Sequence, residues 1–221
     1  ALKNVSLQLD AGKCVGLIGP NACGKTTIIK TILSMVVPDS GEILVNGTKI
    51  TGDVRYKASI GYMPQIGRYP DNMTVSQVIS MIRDIRGYEG KEDTELYEEF
   101  GVNKFCDKKM RTLSGGTTQK VSATIAFLFD PPVLILDEPT AGLDPVSSGI
   151  FRDKIVRERE KGKLILITSH LLSELDDLLT DVVFMQEAEV LFYKSVEELY
   201  TETGEERVSK AVGKLLKLKM R

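Results

Sequence analysis

Gly19-Pro20-Asn21-Ala22-Cys23-Gly24-Lys25-Thr26 is the stretch that decides the fold. A short apolar run, Cys14–Ile18, leads into it, and from Thr26 to Met35 the residues Ile28, Ile29, Ile32 and Leu33 recur at helical spacing. Strand, glycine-rich turn, Gly-Lys-Thr and helix make the G-x-x-x-x-G-K-[ST] arrangement that cradles phosphates. Glycines allow successive backbone N–H groups to close around an anion, and the helix start aims its positive end at the same point. Gly19, Pro20, Asn21, Ala22, Cys23 and Gly24 are therefore read as a nucleotide triphosphate loop. Lys25 is expected at the β- and γ-phosphates, the Thr26 hydroxyl on Mg²⁺, and Thr27 near the α-phosphate. The rival is a chance glycine-rich turn, and the strand before and helix after remove most of its weight.

Working outward, short apolar runs alternate with longer helical patterns, an α/β signature. Pro38–Asp39–Ser40–Gly41 is a turn cluster, and Ile43–Ile50 reads as a hairpin around Asn46–Gly47. Strand signals vanish from Pro70 to about Phe129. There Thr74 and Gln77 form a capping box ahead of Val75, Val78, Ile79, Ile82 and Ile85, with Gly87 as the stop. Further helices are expected over Glu92–Phe100 and Gln119–Phe129. Strands return at Val133–Leu136 and Leu164–Thr168, followed by a hairpin of Val182–Met185 and Val190–Tyr193 and a second capping box at Ser195 and Glu198. The organisation expected is an α/β nucleotide-binding core of residues 1–66 and 123–202. A helical subdomain of residues 67–122 is inserted in it, and residues 203–221 form a C-terminal helix. That tail is basic and amphipathic, and is read as packing on its own domain rather than on a membrane.

The 221 residues are 42% hydrophobic, enough for one substantial core. Lys and Arg number 29 against 31 Asp and Glu, a formal charge of −2 that argues against bulk electrostatic binding of nucleic acid. No apolar run reaches the roughly 18 residues of a membrane span. Three cysteines fit a reducing compartment rather than a disulfide framework. Cys23, between the loop glycine and Lys25, is expected to be the most reactive of them and to be protected by MgATP.

Val133-Leu134-Ile135-Leu136-Asp137-Glu138-Pro139 is an apolar strand that stops at two acids. At the carboxyl end of a parallel strand, side chains meet the crevice where α/β proteins hold ligands. Asp137 is placed to hold Mg²⁺ through its water shell, and Glu138 to orient or deprotonate an attacking water. Alone, the pair reads about equally well as a solvated strand end; with the phosphate loop upstream, the functional reading is preferred. His170, the one histidine, follows the Leu164–Thr168 run through Ser169, which makes a γ-phosphate contact plausible there.

Leu113-Ser114-Gly115-Gly116-Thr117-Thr118-Gln119-Lys120 lies between the helical block and the acid pair, and the set resembles the signature of the ABC ATPases. Gln65, after Gly61-Tyr62-Met63-Pro64, resembles the coupling-loop glutamine. Ala141-Gly142-Leu143-Asp144 resembles the loop that crosses between partners, and His170 matches the switch histidine. The resemblance covers nearly the whole chain and implies a P-loop NTPase core with a parallel sheet, a small antiparallel β part and an inserted helical subdomain. It implies ATP hydrolysis with Mg²⁺, with Glu138, His170, Gln65 and Lys25 catalytic, Thr26, Gln65 and Asp137 on the metal, and Asp144 near nucleotide. Two subunits, read as a homodimer, would sandwich two ATP molecules. The hydroxyl of Ser114 and the N–H groups of Gly115 and Gly116 would face the γ-phosphate held by the partner.

Four departures stand out. Ala22 and Ala188 occupy positions usually glycine, Thr118 one usually longer and polar, and no aromatic residue or histidine precedes Gly19, where the family stacks adenine. Because Ala1-Leu2-Lys3-Asn4-Val5 resembles mid-strand sequence, the chain is expected to lack its natural start. The function expected is the ATP-hydrolysing subunit of an ABC transporter, peripheral on the cytoplasmic face of the membrane beside integral membrane permease subunits. Export is expected over import on the Thr168-Ser169-His170 and Asp144-Pro145-Val146 contexts, with a likeness to copper-site maturation ATPases. The alternatives are a non-transport ABC ATPase driving a soluble assembly, such as an iron–sulfur scaffold, and a regulatory ATP-binding module, against which Glu138 argues.

Overall fold

The computed structural model describes residues 2–50, 52, 54–169 and 172–219. In chain order the strands are β1 (Cys14–Ile18), β2 (Leu44–Val45), β3 (Thr48–Lys49), β4 (Ile60–Met63), β5 (Val133–Asp137), β6 (Leu164–Thr168), β7 (Asp181–Gln186) and β8 (Glu189–Ser195). The α-helices are α1 (Lys25–Ile32), α2 (Val75–Arg86), α3 (Glu95–Glu99), α4 (Gly115–Phe127), α5 (Pro145–Glu160), α6 (Val196–Thr203) and α7 (Val208–Lys219). Pairing is mainly parallel, with antiparallel pairing at β7–β8 and in the small separate β2–β3 ribbon, so the fold is mixed α/β as expected. The chain forms two compact units: one from its two ends, up to Tyr56 and from Leu164 onward, the other from Lys57–Lys163.

In the first unit β1 lies between β6 and β7, parallel to both. Flanked on each edge, all five of its residues are buried, which is why the run is apolar throughout rather than alternating. The β7–β8 hairpin turns on Glu187 and Ala188, at φ 50° and 69°. Phe184 and Phe192 face each other across it with rings stacked 5.4 Å apart. α1 closes at Ile32, short of the expected Met35, because Leu33 leaves helical geometry and Ser34 turns to φ 52°. The C-terminal helix expected from residue 203 begins later: Thr203 ends α6, Gly204 caps it at φ 67°, and α7 runs Val208–Lys219. α7 buries Val208, Ala211, Val212 and Leu215 along one face, with Leu216 half-buried beside them.

In the second unit β4 and β5 run parallel, Ile60 opposite Val133 through Met63 opposite Leu136. The reciprocal Thr74–Gln77 cap opens α2 and Gly87 closes it. α3 is shorter than expected, five residues from Glu95. α4 starts at Gly115, four residues before the expected Gln119, because the Ser114 hydroxyl accepts from Thr117 N–H at 3.3 Å and caps the helix ahead of its apolar stretch. α5 is capped by Asp144 with Pro145 at its first turn. Phe127 and Phe151 pack edge to face, 5.6 Å apart, between α4 and α5.

Candidate nucleotide site

The phosphate loop grows from the buried end of β1. Gly19 has φ 152°, and a Cβ there would collide with the Met185 carbonyl and the Cys23 sulfur, so only glycine lets the chain turn here. Ala22 takes a left-handed φ of 62° without glycine's freedom. The turn closes with Cys23 N–H donating to the Pro20 carbonyl at 3.3 Å. Gly24, at φ 108°, caps α1 with no side chain, and no acid lies in the first turn. The helix start thus presents backbone donors and a positive dipole end uncompensated by carboxylates. Lys25 Nζ donates to the carbonyls of Gly19, at 2.7 Å, and Pro20, at 3.0 Å, bending over the loop it belongs to. Thr26, Asn21 and Ala22 are exposed and Thr27 is half-buried. Cys23 is only 3% exposed, with Lys25 Nζ 3.8 Å from its sulfur, whereas Cys106 is partly exposed, so burial works against the reactivity expected of Cys23 while the ammonium group works for it.

The acid pair lies in the second unit. Leu134, Ile135 and Leu136 are buried and Asp137, at the carboxyl end of β5, is 8% exposed. Burial, with the Asp137 carboxylate adding to it, pushes the Tyr62 hydroxyl on β4 above its ordinary range. Glu138 adopts φ 51°, a left-handed conformation that costs a non-glycine residue on the order of 1–3 kcal/mol. Since β4 and β5 are parallel and Met63 pairs Leu136, Gln65 and Glu138 leave the same end of that pair. Gln65 is exposed.

Ser114 and Gly115 are exposed at the start of α4, and the Ser114 hydroxyl also shares a hydrogen bond with that of Thr117 at 2.9 Å. Asp144 is committed within its own chain. Its Oδ1 accepts from Ser147 N–H at 2.9 Å, and its Oδ2 accepts from Ser147 Oγ at 2.7 Å and Lys120 Nζ at 2.9 Å. Lys120 and these Ser147 donors hold the carboxyl far below its usual range. Lys120 and Ser147 were not singled out from the sequence; the three-residue spacing of Asp144 and Ser147 at a helix start is the signal that finds Ser147. His170 lies outside the described residues. Thr26 and Asp137 each carry an oxygen donor of the hard kind that Mg²⁺ takes.

A strand-to-helix phosphate loop in a mainly parallel sheet, with an acid pair ending another strand, is the build of a P-loop ATPase domain. The family model described as ABC transporter matches residues 2–141. The chain is 34% identical over 209 residues to the human phospholipid-transporting ATPase ABCA3, covering 92% of this chain but 12% of that protein. It is 32% identical over 207 residues to the ABC transporter ATP-binding protein NatA of Bacillus subtilis (strain 168), covering 90% and 84%. It is 31% identical over 223 residues to the osmoprotectant import ATP-binding protein OsmV of Salmonella typhimurium, covering 96% and 58%. A solved ATP-binding subunit of an ABC transporter superposes with a TM-score of 0.89 at 26% identity, over 97% of this chain and 92% of that one. The chain belongs to the ABC transporter family, as one of its ATPase domains.

Proposed function

We propose that this chain hydrolyses ATP to drive a membrane transporter, working as one of two subunits that close on ATP and reopen after hydrolysis. Gly19–Gly24, Lys25, Thr26 and Thr27 take the phosphates, with Thr26, Asp137 and Gln65 serving Mg²⁺. That ion, when bound, neutralises charge on the phosphate oxygens. Glu138 accepts the proton of the attacking water, and His170 contacts the γ-phosphate. Ser114, Gly115, Gly116 and Asp144 belong to the surface offered to a second copy of the chain, with integral membrane permease subunits as the further partners. Residues 67–122 are the helical subdomain that passes motion to those subunits, against the α/β core of 1–66 and 123–202.

The observation that supports this most is Glu138, a carboxylate held in a costly left-handed conformation directly after the buried Asp137. Strain of this kind persists where surrounding structure fixes a side chain for a task. No helix among the described residues is long and apolar enough to cross a membrane. Peripheral attachment at the cytoplasmic face, through the permease subunits, is the arrangement proposed. Export is favoured by the Thr168-Ser169-His170 context, while one relative is named for import. Transport into or out of vesicles carrying the assembled system decides between the directions. Copurification with integral membrane proteins separates a transporter from a soluble assembly.

Glu138→Gln tests the chemistry. Glutamine keeps the shape but cannot take a proton, so MgATP binding persists while phosphate release falls by about 10²–10⁴-fold. Light scattering should then show an ATP-bound dimer that disappears when Ser114 is replaced by tryptophan. Wild-type hydrolysis by Glu138→Gln removes the base assignment, and a monomer at saturating MgATP removes the sandwich.

A further inference from the structure

Gly116, Gln119 and Lys120 recur at i, i+3 and i+4 along α4, a spacing that places them on one face of the helix. All three meet the loop from Glu138 to Asp144. At its first residue, Gln119, 4% exposed, donates from Nε2 to the Glu138 carbonyl at 3.4 Å. In its middle, Gly142 brings its carbonyl against Gly116 so closely that any Cβ on Gly116 would collide with it. At its last residue, Lys120 Nζ pairs with Asp144 Oδ2 at 2.9 Å, on the carboxylate that also caps α5. The loop itself bends back, with Ala141 N–H donating to the same Glu138 carbonyl at 3.2 Å. A strained residue such as Glu138 keeps its conformation only when its surroundings over-determine it, and α4 supplies that restraint at both ends of the loop.

We infer that Lys120 is a positioning residue for hydrolysis: by holding Asp144 it fixes the loop that carries Glu138, tying the start of α4 and Glu138 into one body within a single subunit. The inference rests on the reading of Glu138 as the hydrolytic carboxylate. It assigns Lys120 no contact with nucleotide, so its loss should act on turnover and not on binding. Arginine can reach Asp144 with its charge intact; methionine keeps the stem and drops the charge.

The test is steady-state phosphate release by the purified chain with MgATP. Misplacing a reacting group costs rate, so Lys120→Met should lower kcat by about 10-fold with KM within about twofold of wild type. Lys120→Arg should keep kcat within about twofold. Asp144→Asn breaks the ion pair while asparagine still caps α5. It should lower kcat alike without moving KM, and Lys120→Met/Asp144→Asn should fall no further than the lower single variant. If Lys120→Met does not fold, Lys120→Gln, which keeps a polar end without the charge, takes its place in the same assay. Wild-type kcat in either single variant, a loss that arginine does not restore, a raised KM, or additive losses in the double variant overturn the inference. Glu138→Gln in the same assay keeps the two readings apart. If it turns over normally the role of Glu138 fails; if it is inactive while Lys120→Met is unaffected, only the positioning role fails.

Discussion

Lys154 and Glu158 stand one turn apart on α5, both with fully buried side chains, and their charged ends lie 3.0 Å apart. They anchor a wider network. Lys154 Nζ also reaches Asp93, at 2.5 Å, and Glu95, at 2.7 Å, around the start of α3, while Glu158 accepts Lys161 and Lys163. Asp93, Asp130 and Glu158 bring carboxylate oxygens within 4.8 Å of one another. Lys154, Lys161 and Lys163 already sit among those oxygens, three ammonium groups against three carboxylates, so charge balance in the cluster calls for no metal ion.

Removing one partner from a buried ion pair leaves the other charged and desolvated. Lys154→Met should therefore cost about 3–5 kcal/mol of folding stability, far more than loss of a surface pair. Urea denaturation with the wild type as reference measures it; a loss below about 1 kcal/mol would mean that the network relaxes around the gap.

The same network makes stability depend on acid. Burial works against ionisation of Glu158, but Lys161, Lys163 and Lys154 outweigh it and bring the carboxyl down from 4.5 to about 2. Glu95 is lowered too: burial opposes its ionisation, and Lys154 and Arg157 overcome that opposition. A carboxyl depressed in the folded state stabilises fully above its unfolded value and loses that contribution as pH falls through the folded one. Stability should thus decline as pH drops from about 4.5 towards about 2, and Glu158→Gln should flatten the decline. Denaturation curves at a series of acidic pH values, with an unchanged slope in the variant, would count against Glu158 as a source.

At the β7–β8 turn, Ala188 holds φ 69° where glycine would sit without strain. Ala188→Gly should stabilise by about 1 kcal/mol, the left-handed cost that alanine bears. In a domain of this size the melting temperature should rise by roughly 2–4 °C. An unchanged or lowered melting temperature would show that the turn is not strained at this residue.

Much of this was legible in residue order because it is local. The strand-to-helix phosphate loop, the Thr74–Gln77 and Ser195–Glu198 caps, the Asn46–Gly47 turn and the apolar strands each depend on neighbours within a few residues, and spacing alone reveals them. The misplaced start of α4 has a local cause as well, since the Ser114 cap precedes the apolar stretch by which the helix was read.

Residue order alone reveals the phosphate loop, the family and most of the elements, though not β4 or the sixteen-residue α5, because what it reveals rests on backbone preferences and hydrophobic spacing written along the chain. That Cys23 is buried, that Asp144 is held by Lys120 and Ser147, and that Lys154 pairs with three acids emerges only when the chain is packed. Lys120 and Asp144 are 24 residues apart and Lys154 and Asp93 are 61 apart. A charge announces its presence in a sequence but not its partner, since the partner is chosen by how helices pack and how much water they exclude.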